Sequence, residues 1–178
     1  MKDNYIKYSP LIFLGIFILA FVIGMSNDIP KSISITTINT NPKIDFEIIK
    51  TISIKNILLA LTLLLGFLTA NILNYILLFF NGLMFGMSYS TYSKIFETKQ
   101  LLLIVLPHAI IEVLWMVLIS SLSVKLFFYF LKYINSNYTN KDFINLLKSK
   151  YLFKLYFIVI LAIIIELFIT PFLFNLTN

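Results

Sequence analysis

The stretch Asn56–Ser93, NILLALTLLLGFLTANILNYILLFFNGLMFGMSYSTYS, is an almost uninterrupted apolar run of 38 residues. A single helix of that length would measure ~57 Å at about 1.5 Å per residue. The hydrocarbon core of a bilayer is only about 30 Å thick, so the chain must turn inside this run. The polar cluster of Thr69, Asn71 and Asn74 predicts the position of the turn. The two predicted spans are about 55–70 and 73–92.

The composition extends the membrane interpretation to the whole chain. Of its 178 residues, 60% are hydrophobic and only 12% are charged, whereas about a quarter of the residues in an ordinary soluble domain carry a charge. We therefore predict one integral membrane domain over residues 1–178. Its predicted fold class is all-α, a polytopic bundle of transmembrane helices, because a helix satisfies its own backbone hydrogen bonds in lipid. The absence of cysteine excludes disulfides and thiolate metal sites.

Three further apolar runs bring the predicted bundle to about five spans. A cleaved signal peptide is the alternative interpretation of the first run, since Gly24 and Ser26 are small residues at the spacing of a cleavage site. A retained span is favoured, because the polar segment after it is short and leads directly into further spans. The predicted spans of these three runs are about 8–25, 101–121 and 151–174.

The placement of lysines predicts the orientation. Residues 125–154 contain six lysines and one acid, Asp142. With a cytoplasmic N-terminus, five spans place this segment in the cytoplasm, where positive charge collects in membrane proteins, and the C-terminus outside. Phe143, Leu146 and Leu147 within it predict a short amphipathic helix on anionic lipid. The abundance of Ile, Asn, Lys and Phe points to an AT-rich bacterium, so the predicted location is the bacterial cell membrane.

Polar side chains in three spans predict a shared polar core. His108 and Glu112 lie one helical turn apart, with Trp115 beside them. Ionisable groups inside a membrane are costly and by default mark a functional site. Glu166 has a similar predicted depth in the fifth span, and facing such groups toward one another satisfies their hydrogen bonds. The predicted members of the core are His108, Glu112, Glu166, Asn74, Asn81 and Thr170.

Small residues and prolines are the candidates for helix packing. Gly82 and Gly86 have the GxxxG spacing that allows two helices to approach closely. Pro107 is expected to start or kink its helix, because proline cannot donate a backbone hydrogen bond. Pro171 lies near the end of the predicted fifth span.

Three hypotheses for the polar core stay open. In the first, the core only stabilises the packing of the helices. In the second, it forms a proton or ion pathway in a small transporter or channel. In the third, it binds a metal through His108, Glu112 and Glu166. The last is disfavoured, because a single histidine cannot form the usual multi-histidine zinc site and the H-E-x-x-H motif is absent. We predict a protein that is not an enzyme, with no cofactor, no metal and no catalytic residue.

Four motifs in order resemble the stage II sporulation protein M family of bacterial membrane proteins. They are Gly66 with the turn Thr69–Asn74, then Asn81–Gly86, then Leu106–Glu112, and finally Ile165–Pro171. Ala109 stands where the family usually has glycine. The resemblance covers about 56–172, most of the chain.

The resemblance implies two roles. Some members act as scaffolds with peptidoglycan-degrading partners during engulfment, and others accompany circular bacteriocins in maturation, export or immunity. The expected partners are the bilayer and other membrane proteins, either an export ATPase or permease or peptidoglycan-remodelling proteins. A hydrophobic peptide and a second copy of the chain are further candidates, and nucleic acid is not expected.

Overall fold

The computed structural model describes residues 2–27, 46–94, 96–135, 157 and 159–165. All of its long helices contain a segment that is long and apolar enough to cross a membrane, and the predicted all-α membrane bundle is thereby confirmed. The predicted amphipathic helix after Asp142 and most of the predicted fifth span lie outside the described residues, although 159–164 are helical. The helices are α1 (Lys2–Met25), α2 (Phe46–Leu65), a 3-10 helix (Gly66–Thr69), α3 (Ile72–Tyr92) and α4 (Thr98–Ile134).

The turn between α2 and α3 is short and closes on its own backbone. Ala70 and Asn71 have positive φ angles of 52° and 67°, a left-handed conformation that asparagine tolerates better than most residues. The Asn71 backbone N–H donates to the Gly66 carbonyl at 2.8 Å. The long apolar run therefore reverses direction inside the Thr69–Asn74 cluster.

α1 and α3 run parallel and pack along their whole length. Three aromatic pairs join them, and residue numbers rise together along both helices. Because two parallel helices must have their N-termini on the same side of the membrane, α2 crosses in the opposite direction between them. The ring pairs are Phe13–Tyr75 at 5.1 Å, Phe17–Phe85 at 5.9 Å and Phe21–Tyr89 at 5.9 Å between centroids.

α4 runs antiparallel to α1. The ring of Phe128, near the end of α4, lies 6.1 Å from the ring of Tyr5, near the start of α1. Phe130 lies 5.7 Å from Phe67 in the 3-10 helix. The start of α1, the α2–α3 turn and the end of α4 therefore share one end of the bundle, which we name the turn end.

α4 is the central helix of the described bundle. Of the residues in its membrane-length segment 56% are buried, against at most 28% in any other described helix. Val159 and Ala162 join the same core. The core side chains with 0% exposure among the described residues are Phe13, Ala20, Leu63, Leu78, Trp115, Met116 and Val124.

α4 is also longer than the span predicted at 101–121. It contains 37 residues and continues through Lys125 and Lys132 to Ile134. No glycine or proline follows Pro107 within the helix, so nothing in the local sequence ends it at residue 121. Lysine is accommodated near a helix end, because its aliphatic stem packs on apolar surface while its ammonium group reaches the interface.

Candidate functional site

The predicted glycine pair of α3 packs against the backbone of α1. A β-carbon at Gly82 would lie 2.5 Å from the carbonyl oxygen of Phe17, and one at Gly86 would lie 2.8 Å from the backbone nitrogen of Met25. A β-carbon at Gly24 would lie 3.0 Å from the Cα of Gly86. Gly24 is thus the α1 partner of the glycine pair, a role that the sequence pattern around the possible cleavage site did not indicate.

Asn74 lies in the first turn of α3, next to the α2–α3 turn. It is fully buried, and its Nδ2 donates to Asn71 Oδ1 at 3.3 Å. Gly66 makes room for it, since a β-carbon at Gly66 would lie 2.5 Å from the Asn74 Cγ. Among the described residues, Asn71 Nδ2 and Asn74 Oδ1 have no hydrogen-bond partner.

Asn81 shares a helix face with Asn74 but has a different environment. It is half-buried, and its Nδ2 donates to the Leu77 carbonyl of its own helix at 2.8 Å. This bond pairs one of the two amide N–H groups within α3 itself. Asn81 therefore lies on the same face of α3 as Asn74, but its described hydrogen bond goes to Leu77 and not to Asn74.

Glu112 is half-buried in α4, far from Asn74 along the bundle axis. It lies 16 positions before Phe128, which corresponds to about 24 Å from the turn end at 1.5 Å per residue. Asn74 lies in the first turn of α3, at the turn end. Because α3 and α4 run in opposite directions, early positions in each helix lie at opposite ends of the bundle. The predicted polar core as a whole stays a prediction.

The structure describes the remaining predicted site residues only in part or not at all. The backbones of Pro107 and His108 lie within α4, which begins at Thr98, so Pro107 does not start the helix. The side chain of His108 lies outside the described part of the chain. So do three further predicted residues, Glu166, Thr170 and Pro171.

Buried polar groups of α4 were missed by the sequence analysis. Ser121 Oγ donates to the Val117 carbonyl at 2.6 Å. Ser120 Oγ, Ser123 Oγ and Trp115 Nε1 are buried with no hydrogen-bond partner among the described residues. The sequence feature that could have indicated them is the group of three serines within four positions of an apolar span. Small polar residues in a membrane helix favour contacts with neighbouring helices over contacts with lipid.

A second missed contact joins α1 to α3. The hydroxyl groups of Tyr5 and Tyr75 form a hydrogen bond across the helix interface. Tyr75 also stacks on Phe13, so its ring packs in the core while its hydroxyl is satisfied by the neighbouring helix. Tyrosine in a span commonly combines these two roles.

The sequence of the chain matches one known family. The sequence model for stage II sporulation protein M matches residues 9–171. The chain belongs to the stage II sporulation protein M family. The match begins within α1 and includes α2, α3 and α4, so the membrane bundle described above is the family domain. No curated protein and no solved structure shows significant similarity to this family member.

Proposed function

We propose that this family member is a non-enzymatic structural component of a multiprotein complex in the bacterial cell membrane. The filled centre of the bundle carries the proposal. Around the middle of α4, large side chains such as Phe13, Leu78 and Trp115 are fully buried. An interior packed in this way is suited to holding a fixed shape in the bilayer, which is the task of a scaffold.

Two kinds of complex fit such a scaffold. The family name refers to sporulation, and an envelope-remodelling complex with peptidoglycan-degrading partners is the first. The second is a complex for the maturation, export or immunity of a circular bacteriocin, with an ATPase or permease and the hydrophobic peptide itself. Both use the membrane bundle as a platform and require no chemistry from it.

Affinity purification from the native membrane tests the proposal and separates the two complexes. The tagged full-length protein is cross-linked in cells, extracted in mild detergent and analysed by mass spectrometry. Peptidoglycan-remodelling enzymes would support the first complex, and an export ATPase with a small peptide would support the second. Recovery of the chain alone, after cross-linking that captures a known membrane complex in the same cells, would contradict a scaffold function.

A small proton-coupled transporter is the second candidate, and Glu112 is the observation that favours it. An acidic side chain that is half-buried within an apolar span is a common element of proton pathways. Purified protein in liposomes should then show a pH-dependent flux that Glu112→Gln abolishes. Liposomes that stay as tight with the protein as without it would eliminate this candidate.

A further inference from the structure

The side chain of Asn81 lies near the middle of α3 and forms part of the surface of the bundle. It is the tenth of the 21 residues of a helix long enough to cross the membrane, and it is only half-buried. Its amide donates one hydrogen bond, to the Leu77 carbonyl. The second N–H and the amide oxygen have no hydrogen-bond partner among the described residues. The hydrocarbon of the bilayer contains no water to supply the missing bonds, so a polar group left unpaired there is unfavourable.

Asn81 belongs to a face of α3 that the bundle leaves partly exposed. The glycines that pack on α1, Gly82 and Gly86, lie about 100° and 140° around the helix axis from Asn81. On the side of Asn81, four residues have the spacing i, i+4, i+7 and i+11, and none of the four is buried. This spacing is that of the contact positions between two parallel, coiled helices, a geometry that is common for helix pairs in membranes. We name these residues the Asn81 face: Leu77, Asn81, Met84 and Ser88.

The amide of asparagine is complementary to a second copy of itself. It contains both donors and an acceptor, so two Asn81 side chains related by a two-fold axis can exchange two hydrogen bonds. Copies of one chain insert into the membrane in one orientation, so equal residues lie at equal depth. The two-fold axis of a pair is then perpendicular to the membrane, and the same surface of each copy meets the other. A partner of a different sequence would need a group that both donates and accepts at the same depth.

We propose that the Asn81 face binds a second copy of this chain, so that the protein forms a parallel dimer in the membrane. Leu77 and the exposed side chain of Met84 supply apolar contact on either side of the amide pair. A single asparagine among apolar contact positions fixes the register, because any other alignment leaves the amides unpaired. The inference holds whether the bundle serves as a scaffold or as a transporter.

Disulfide cross-linking in native membranes tests which face of α3 meets the second copy. The chain contains no cysteine, so each variant of the full-length protein carries a single thiol. Met84→Cys should form a covalent dimer on oxidation. Ile76→Cys is the matched control and should stay largely monomeric. Ile76 is 47% exposed and Met84 is 48% exposed, but Ile76 lies about 140° around the helix from Asn81. Equal dimer yields in the two variants, or a cross-link from Met84→Cys to a different protein, would overturn the proposal.

Energy transfer between labelled full-length chains in liposomes tests the amide pair itself. The dimer fraction is measured as the ratio of protein to lipid is varied. Asn81→Leu should weaken dimerisation by about fivefold or more, because it removes both hydrogen bonds between the copies. Thr62→Val is the control, since the Thr62 hydroxyl donates to Leu58 within α2, and it should leave dimerisation unchanged.

Two outcomes of the energy-transfer measurement would overturn the proposal. One is an unmodified protein that stays monomeric at every ratio of protein to lipid. The other is dimerisation of Asn81→Leu that equals that of the unmodified protein. The measurement on the unmodified protein is decisive by itself if a variant does not fold.

Discussion

The α1–α3 interface and the α2–α3 turn are stabilised by opposite means. The first is a steric fit, in which Gly24, Gly82 and Gly86 bring two helix backbones together and aromatic rings fill the space beside them. The second contains the buried side chains of Asn71 and Asn74, which share one hydrogen bond and are incompletely paired among the described residues. In lipid, apolar surface gives little driving force for helix association, so a bundle depends on close packing and on polar contacts. In this protein, close packing stabilises the α1–α3 interface, and a polar contact stabilises the α2–α3 turn.

The largest expected effect comes from filling the steric interface. Gly86→Leu should destabilise the bundle by about 3 kcal/mol or more, because its side chain would overlap the backbone of α1 and overpacking forces helices apart. The loss should appear as reduced accumulation in membranes and a lower unfolding temperature in detergent.

Gly15→Leu is the matched control for this variant. Gly15 also lies within an apolar helix, but no atom of the described structure lies within 4 Å of the position of its β-carbon. Its effect should stay within about 0.5 kcal/mol. Equal losses in the two variants would show that the α1–α3 contact is not a specific fit.

A smaller effect is expected from the polar contact. Asn74→Leu removes the donor to Asn71 and leaves a buried amide without its partner, at a cost of about 1–3 kcal/mol. Chemical unfolding in detergent measures the difference. Asn81→Leu, which removes only a bond within α3, should cost less. A larger loss of unfolding free energy in Asn81→Leu than in Asn74→Leu would contradict a stabilising role for the Asn71–Asn74 hydrogen bond.

The hydrogen bond between the Tyr5 and Tyr75 hydroxyl groups in the α1–α3 interface should contribute less to stability. Tyr75→Phe removes its bond to Tyr5 but keeps the ring that packs on Phe13, so a loss of about 1 kcal/mol is expected. The thermal midpoint of the purified protein measures it. Tyr133→Phe, at an exposed position, is the control and should leave the midpoint unchanged. A loss as large as that of Gly86→Leu would mean that this interface also depends on polar contacts.

The last prediction concerns orientation and should not change stability. Reporters fused after Lys141 and Lys99 should lie on opposite sides of the membrane, the first in the cytoplasm with the turn end. Accessibility to a membrane-impermeant reagent measures this directly. Placement of both reporters on one side would contradict the five-span arrangement.

Much of the architecture could be predicted because the bilayer imposes simple rules. The length of the apolar run that begins at Asn56 requires a reversal, and Asn71 supplies the side chain that tolerates the necessary backbone. The spacing of Gly82 and Gly86 indicates a close helix contact. The end of α4 was harder to predict, since Lys125 resembles a boundary although a lysine does not break a helix.

The site was less predictable than the fold, because a sequence gives positions along each helix but not the direction in which neighbouring helices run. The sequence therefore could not show that Asn74 lies at the turn end while Glu112 lies about 24 Å from it. The sequence also did not indicate that Ser120, Ser121 and Ser123 of α4 are buried, as the structure shows.

The sequence by itself determined that this chain is a helical membrane protein, where its central apolar run reverses, and to which family it belongs. These properties depend on hydrophobic length and on local motifs, which neighbouring residues determine. Only the tertiary structure decided that α1 is the partner of the α3 glycines, that α4 is the central helix, and that Ser120 and Ser123 of α4 are buried. Those properties depend on contacts between residues far apart in the chain, and such contacts exist only once the helices have packed.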